Sequence, residues 1–377
     1  MKNSVLALTK KLIAIPSFVG NGVNEKAIAD FIITYLQQHG FAVQKQYLDK
    51  TRYNIIVTLG SPKLWLCGHM DTVEPKNTQQ LQPEIIDDKL YGLGAADMKG
   101  GIAAILTAVT ESKNIKNLGL LFYCDEEYFF QGMKTFLKDF ADKPELTIIA
   151  EPTNLAIGNA HRGIIELRAV IKGKTGHASR PSEGKNAIMI ATEAVKKLTI
   201  ALEKYSNSNT GITTCTLATI TGGLQIGAKD KKILYANGTN SIPDTVEIAL
   251  DIRPAVKELT AQQVTSLLKE YIAAEGGIMT EVTITQEFKP LLTNKNSLGS
   301  LEKTIQNTIG TATYFPGIDM GFGDGQLFAE HTQTPVVYFG PGPTTTCHQE
   351  NEYVSIPTLQ KTTDVFKKLI AVYGTLS

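Results

Sequence analysis

Residues 64–71 read Leu-Trp-Leu-Cys-Gly-His-Met-Asp. Four apolar residues of strand type run straight into a glycine, a histidine and an aspartate. A short continuous apolar run closed by a turn signal fits a strand buried on both faces. Its polar end then falls at the carboxyl edge, where open α/β sheets bind their ligands. The same arrangement recurs three times. Asn117–Cys124 (NLGLLFYC) runs into Asp125-Glu126-Glu127, and Leu146–Ala150 (LTIIA) into Glu151-Pro152-Thr153. Pro335–Phe339 runs into a glycine/proline loop that ends in Cys347-His348. Four strands thus deliver histidine or carboxylate groups to one sheet edge, and they use two of the chain's 6 histidines.

Helix-like segments separate these strands. Asn24–Gly40 carries Ile28, Phe31, Ile32 and Leu36 at helical spacing and stops on a glycine. Ile102–Val109 is Ala-rich and opens after Gly100-Gly101, and a helix is expected around Gly132–Phe140. This alternation predicts an α/β sheet with helices on both faces. The middle of the chain changes style. Gly163–Ile171, Thr213–Ile220 and Val246–Ile252 read as strands, Asn186–Leu202 and Thr260–Glu275 as helices. They predict a compact α+β unit on a small, largely antiparallel sheet. After Pro290 the α/β style returns, with helices at Leu298–Ile309 and Thr358–Tyr373. The expected organisation is an α/β domain of residues 1–163 and 288–377, interrupted by an insertion of residues 164–287.

Composition narrows the function classes. A chain of 377 residues holds about two or three domain-sized units and a sizeable core. With 37 Lys+Arg against 37 Asp+Glu, the formal net charge is zero, so neither nucleic acid nor an anionic membrane is expected as partner. Cys67, Cys124, Cys215 and Cys347 form no CxxC pair, so neither a disulfide framework nor a thiolate zinc site fits, and a reduced, cytoplasmic compartment is expected. Lys10 and Lys11 interrupt the apolar residues of Met1–Ser17, whose spacing suits an amphipathic helix and not a secretory signal. No segment approaches the roughly 20 apolar residues that span a bilayer.

Oxygen and imidazole groups without sulfur suit Zn²⁺, Co²⁺ or Mn²⁺ in a catalytic setting. Two ions bridged by one carboxylate would describe a two-metal hydrolase. The bridging candidate is Asp97, in Gly92-Leu-Gly-Ala-Ala-Asp97-Met-Lys-Gly-Gly101, whose glycines let the backbone come close to bound ions. Asp71, two residues after His69, can accept the other N–H of that imidazole, or it can simply cap a turn. Gly92-Leu-Gly94-Ala-Ala-Asp97 imitates a dinucleotide fingerprint, but Asp97 stands where a third glycine or alanine belongs. Cys347, beside His348, is expected to pack, and Asp125 is expected to be structural.

Taken together, GHMDTV, GLGAADMKGG, CDEE, AEPT and TCHQENEYV occur in the order found in the M20 metallopeptidase/deacylase family, and the chain resembles that family along essentially its whole length. The resemblance implies a zinc-hydrolase-type mixed sheet and an inserted lid/dimerisation domain. It implies that His69, Asp97 and Glu151 hold one divalent ion and Asp97, Glu127 and His348 a second, with a cis peptide after Asp97. Glu126 becomes the general base, which takes a proton from the attacking water and returns it to the leaving amine. His177, in Gly176-His-Ala-Ser-Arg-Pro181, is placed in the lid and stabilises the oxyanion of a partner subunit's site in a homodimer, against the alternative of plain loop surface. Asn240 and Arg253 match positions that contact a substrate carboxylate, and Arg162 is a further substrate-binding candidate. For the two arginines an ordinary salt bridge is the alternative.

The resemblance is closest to acetylornithine deacetylases and succinyl-diaminopimelate desuccinylases. Ala160-His-Arg-Gly163 and Phe322-Gly-Asp-Gly325 depart from the desuccinylase pattern, whereas GAADMKG and Asn351-Glu-Tyr-Val354 suit it. The expected activity is hydrolysis of the linear amide of a small-molecule N-acyl amino acid, acetylornithine deacetylase-like. Desuccinylase, metallo-carboxypeptidase and a non-catalytic binding protein on the same fold are the alternatives.

Overall fold

A computed structural model describes residues 4–230 and 232–374, so the first three residues of the expected N-terminal segment lie outside the described residues. A six-stranded sheet organises the part of the chain up to Ala160 and from Leu292 onward. In chain order its strands are β1 (Gln44–Tyr47), β2 (Tyr53–Leu59), β3 (Leu64–His69), β4 (Leu118–Tyr123), β5 (Leu146–Ile149) and β6 (Val336–Tyr338). Their spatial order is β1-β2-β4-β3-β5-β6. Strands β4, β3, β5 and β6 run parallel, and β2 and β1 complete one edge antiparallel. The sheet is therefore mixed, and the four parallel strands all end at the edge that carries the candidate residues.

Every residue of β3, β4 and β5 is buried, which is why these strands read as unbroken apolar runs instead of alternating ones. On one face Trp65 packs against Phe136 and Phe140, with ring centroids 5.3 and 5.2 Å away, and Phe328 closes the cluster. Phe136 and Phe328 come from the helices Gln131–Lys138 and Gly325–Thr332. A glycine is required at position 119 because a Cβ there would lie 2.2 Å from the Trp65 ring. On the other face Gly68 meets Ile102 of the buried helix Gly100–Glu111. That helix packs against Ser4–Ile13 and Ile356–Gly374. Helices thus cover both faces.

Residues His161–Leu291 form a second compact unit. Its four antiparallel strands lie in the order Thr214–Gly223, Thr245–Arg253, Ile164–Lys172, Ile278–Phe288. Ile165, Leu167, Ala169 and Ile171 alternate with less buried residues, as do Val246, Ile248, Leu250 and Ile252. These side chains make one core with the helices Ala187–Leu202 and Ala261–Ala274. The strand Ile278–Phe288 was not expected from the sequence. It is an edge strand and largely exposed, and even its alternating apolar residues Ile278, Val282 and Ile284 are not buried. The unit divides from the rest at 160/161 and 291/292, whereas the change of sequence style suggested 163/164 and 287/288. Among the described residues no helix is long and apolar enough to cross a membrane.

Candidate active site

His69 closes β3, Glu126 and Glu127 form the turn after β4, Glu151 follows β5, and His348 lies in the loop after β6. His69 Nε2 is 3.1 Å from Asp97 Oδ1 and 3.5 Å from Glu151 Oε1. His348 Nε2 is 3.4 Å from Asp97 Oδ2 and 3.1 Å from Glu127 Oε2. Asp97 is therefore shared, one oxygen turned to each histidine. The donor atoms of His69, Asp97 and Glu151 lie within 4.8 Å of one another, and so do those of Asp97, Glu127 and His348. Three carboxylates and two imidazoles converge with no lysine or arginine among them. Such a nitrogen/oxygen donor set fits two divalent cations of the Zn²⁺, Co²⁺ or Mn²⁺ type. Cys347 belongs to neither group: burial, with the nearby Asp97 adding to it, pushes its thiol up, and its Sγ lies 3.6 Å from the Pro343 carbonyl.

Asp97 is aimed by its own loop. Gly94 adopts φ 78°, open to glycine at little cost, and the Asp97–Met98 peptide is cis. The buried carboxylate of Glu352 accepts the N–H groups of Gly94, Ala96 and Asp97 at 3.1, 2.9 and 3.0 Å. Sequence reasoning gave Glu352 no role of its own. Its signal was its place in the motif TCHQENEYV, four positions after His348.

Asp71 works differently from the expectation. His69 Nδ1 lies 3.0 Å from the backbone oxygen of Asp71 and 3.7 Å from its carboxylate, so the main chain, not the side chain, orients the ring. The carboxylate accepts the backbone N–H groups of Glu126 at 3.2 Å and Glu127 at 2.9 Å. Tyr123, the register partner of His69, donates to the buried Asp324 at 2.8 Å, a link that sequence reasoning also missed.

The electrostatics follow from burial and convergence. Burial disfavours a charged His69, yet Glu151 and Asp97 outweigh it and hold its pKa well above the ordinary value. Burial would raise Asp97, but hydrogen bonds from His348 and His69 pull it below the usual carboxylate range. Those same contacts to Asp97 and Glu127 push His348 up to about 10. Glu126 is raised well above the ordinary glutamate value by burial, with His69 opposing and Asp324, Glu151 and Glu127 adding to it. Among the described residues no hydrogen bond reaches the Glu126 carboxylate, so it is available to a reacting group.

These residues open on a cavity of about 570 Å³, whose lining also includes Asp319, Met320 and Phe322. Phe130 and Phe322 meet there with ring centroids 5.6 Å apart. Among the described residues no lysine or arginine lines the cavity, and Asp319 is the one acidic lining residue outside the Asp97, Glu126, Glu127 and Glu151 cluster.

The remaining candidates belong to the second unit. His177 is exposed and bridges Ser241, and the backbone oxygen of Asn240 accepts the N–H of Ala178 at 2.8 Å. Arg253 makes a two-pronged ion pair with Asp251 at 2.7 and 2.8 Å, the salt-bridge alternative named above. Arg162 donates to the Thr214 hydroxyl at 3.2 Å.

Comparison with known proteins agrees with this geometry. Acetylornithine deacetylase of Buchnera aphidicola subsp. Acyrthosiphon pisum (strain Tuc7) is 30% identical over 397 residues, covering 97% of this chain and 97% of that protein. Acetylornithine deacetylase of Proteus mirabilis (strain HI4320) is 28% identical, covering 97% and 95%. Among solved structures, a tripeptidase from Staphylococcus aureus subsp. aureus mu50 superposes with a TM-score of 0.78 at 22% identity, covering 100% of this chain and 99% of that one. The pattern of Peptidase family M20/M25/M40 matches residues 65–372. The chain belongs to that family and is a metal-dependent amidohydrolase.

Proposed function

We propose that the chain is a two-metal deacylase that releases the acetyl group of N-acetylornithine or a close analogue with a cationic side chain. One observation carries the two-metal reading: Asp97 presents one oxygen to each histidine group beside a buried glutamate, Glu126, whose carboxylate is uncommitted. In this reading His69, Asp97 and Glu151 hold one ion and Asp97, Glu127 and His348 the other, Zn²⁺ before Co²⁺ or Mn²⁺. When bound, the ions polarise the amide carbonyl and acidify the attacking water.

Glu126 takes a proton from that water at its carboxylate and returns it to the leaving amine nitrogen. Its raised affinity for a proton, caused first by burial, suits a group that must hold the proton between the two transfers. Glu127 is held as a ligand, so the neighbouring pair divides the two tasks.

The substrate reading rests on the named relatives and on the cavity. A succinyl substrate brings an extra carboxylate, and among the described residues no lysine or arginine lines the cavity to meet it. Asp319 and the aromatic pair instead suit an aliphatic stem that ends in an ammonium group. The reading further includes a cytoplasmic homodimer formed through residues 164–287, in which His177 of the partner subunit donates to the developing oxyanion. The test compares N-acetylornithine with N-succinyl-diaminopimelate, with Zn²⁺ or Co²⁺ added. Faster turnover of the succinyl compound would reverse the assignment.

A further inference from the structure

Three consecutive backbone N–H groups at the catalytic turn are held by two buried carboxylates that come from other elements. Asp125 N donates to Glu25 Oε1 at 3.1 Å, Glu126 N to Asp71 Oδ1 at 3.2 Å, and Glu127 N to Asp71 Oδ2 at 2.9 Å. The turn needs such support, because Asp125 has φ 69°, a region that side chains other than glycine rarely adopt. Glu25 is fully buried just before the helix Lys26–Gln38, and one cation balances it. Arg52, immediately before β2, donates from Nε to Glu25 Oε2 at 2.8 Å and from Nη2 to Glu25 Oε1 at 2.6 Å. The same Nη2 donates to Asp125 Oδ1 at 2.7 Å. The guanidinium therefore clamps the carboxylate that holds the turn and a carboxylate of the turn itself. Asp125 Oδ2 also accepts Gln131 N at 3.2 Å, which closes the turn onto the helix Gln131–Lys138.

We propose that Arg52, paired to Glu25 and Asp125, is a positioning residue for Glu126. The inference rests on the reading of Glu126 as the base. Arg52 touches no residue of the two ligand groups. It acts through Asp125, the residue immediately before Glu126, and fixes the direction from which the free carboxylate leaves the backbone. Lysine cannot reproduce this, since a single ammonium has no planar fork for two carboxylates. A small error in placement is costly in catalysis, where reacting atoms must meet at about 3–3.5 Å.

The experiment uses the metal-loaded enzyme with N-acetylornithine or whichever acyl amino acid it turns over best. Arg52→Lys is expected to lower kcat at least tenfold, with KM within about twofold and metal content unchanged. Arg52→Ala is expected to lose more and to regain part of its kcat in millimolar guanidinium chloride but not in sodium chloride of equal ionic strength. A merely destabilised protein would not respond in that way. If Arg52→Ala does not fold, Arg52→Lys decides alone. The double variant Arg52→Lys/Glu126→Gln is expected to be no slower than Glu126→Gln, because the clamp has nothing left to aim. Three results overturn the proposal: kcat of Arg52→Lys within threefold of the parent, a loss that follows metal content, or a double variant slowed by the full Arg52→Lys factor. Near-normal turnover by Glu126→Gln alone would instead remove the base assignment on which the proposal stands.

Discussion

Asp71 Oδ2 accepts the backbone N–H of Glu127 at 2.9 Å, while the main-chain oxygen of the same aspartate meets His69 Nδ1 at 3.0 Å. One buried residue thus ties the histidine that ends β3 to the turn that follows β4. In Asp71→Asn the side chain keeps one acceptor oxygen and turns an N–H₂ toward a backbone donor. An unpaired buried N–H costs about 1–3 kcal/mol of stability, and a turn that loses this anchor no longer holds Glu126 in place, so kcat should fall. His69 keeps its main-chain partner, so metal content should stay near two ions per chain. Steady-state kinetics with elemental analysis checks both, and loss of metal without loss of kcat per bound ion would contradict it.

The adjacent glutamates are expected to separate cleanly. Glu126→Gln keeps the shape of the side chain but cannot accept a proton at neutral pH, so kcat should fall by about 10² or more with both ions retained. His348→Ala removes an imidazole that meets Asp97 and Glu127, so it should lower metal affinity at one site. Titration of the apo-enzyme with Zn²⁺ distinguishes the two. Equal metal loss in both variants would show that the roles of Glu126 and Glu127 are exchanged.

The candidate centre was legible because β3, β4 and β5 are buried on both faces: the apolar runs end abruptly, and the candidate residues follow within a few positions. His69, Glu126–Glu127 and Glu151 could be read in that way, and Asp97 and His348 through the motifs around them. Long-range partners could not be read. Glu352 is 255 positions from the Asp97 N–H it holds, and Glu25 is 100 from Asp125 N, so no local spacing betrays either. Asp71 was read as a side-chain support of His69 because an i, i+2 histidine–aspartate pair suggests that contact. The backbone carbonyl takes the ring, which leaves the carboxylate for the turn. The edge strand Ile278–Phe288 escaped because its short alternation, Val282-Thr-Ile284-Thr285, is flanked by polar residues and broken by register shifts at Met279/Glu281 and Ile284/Gln286.

Removing the ions should loosen the fold as well as stop the reaction. Without cations, Asp97, Glu127 and Glu151 face one another with only two imidazoles between them. Ions that bind only the folded state add about 2.7 kcal/mol at a hundredfold excess over Kd. A chelator should therefore abolish turnover and lower the melting temperature together, and Zn²⁺ or Co²⁺ should restore both. An unchanged melting temperature with lost activity would place the ions elsewhere.

Lys99 gives a pH signature of stability. Its Nζ is buried and donates to the Ile15 carbonyl at 2.8 Å. Burial lowers its pKa from 10.5 to about 7, with Glu352 opposing. Between pH 7 and 10.5 the unfolded chain binds this proton and the folded one does not, so its contribution to stability grows as pH rises through that window and reaches its minimum below pH 7. Lys99→Met lacks this term. The stability of the parent relative to Lys99→Met, read from urea midpoints, should therefore increase from pH 7 to pH 10. Parallel curves would mean that the amine stays charged in the fold.

His177 Nδ1 accepts the backbone N–H of Ser179 at 3.2 Å and lies 2.7 Å from the Ser179 hydroxyl. In the neutral ring the proton is therefore on Nε2, which makes an exposed side chain a preset N–H donor. That is the form an oxyanion needs, and a donor of this kind is worth about 10²–10³ in kcat. In the proposed homodimer Glu126 and His177 of one active site come from different chains. His177→Ala should then cut kcat by about that factor with metal content unchanged. Mixing Glu126→Gln chains with His177→Ala chains should restore activity, because one of the two sites in a mixed dimer keeps both groups. Subunit exchange is followed independently with two affinity tags. Full exchange with no gain in activity would leave His177 to its loop contact with Ser179 and remove it from the reaction.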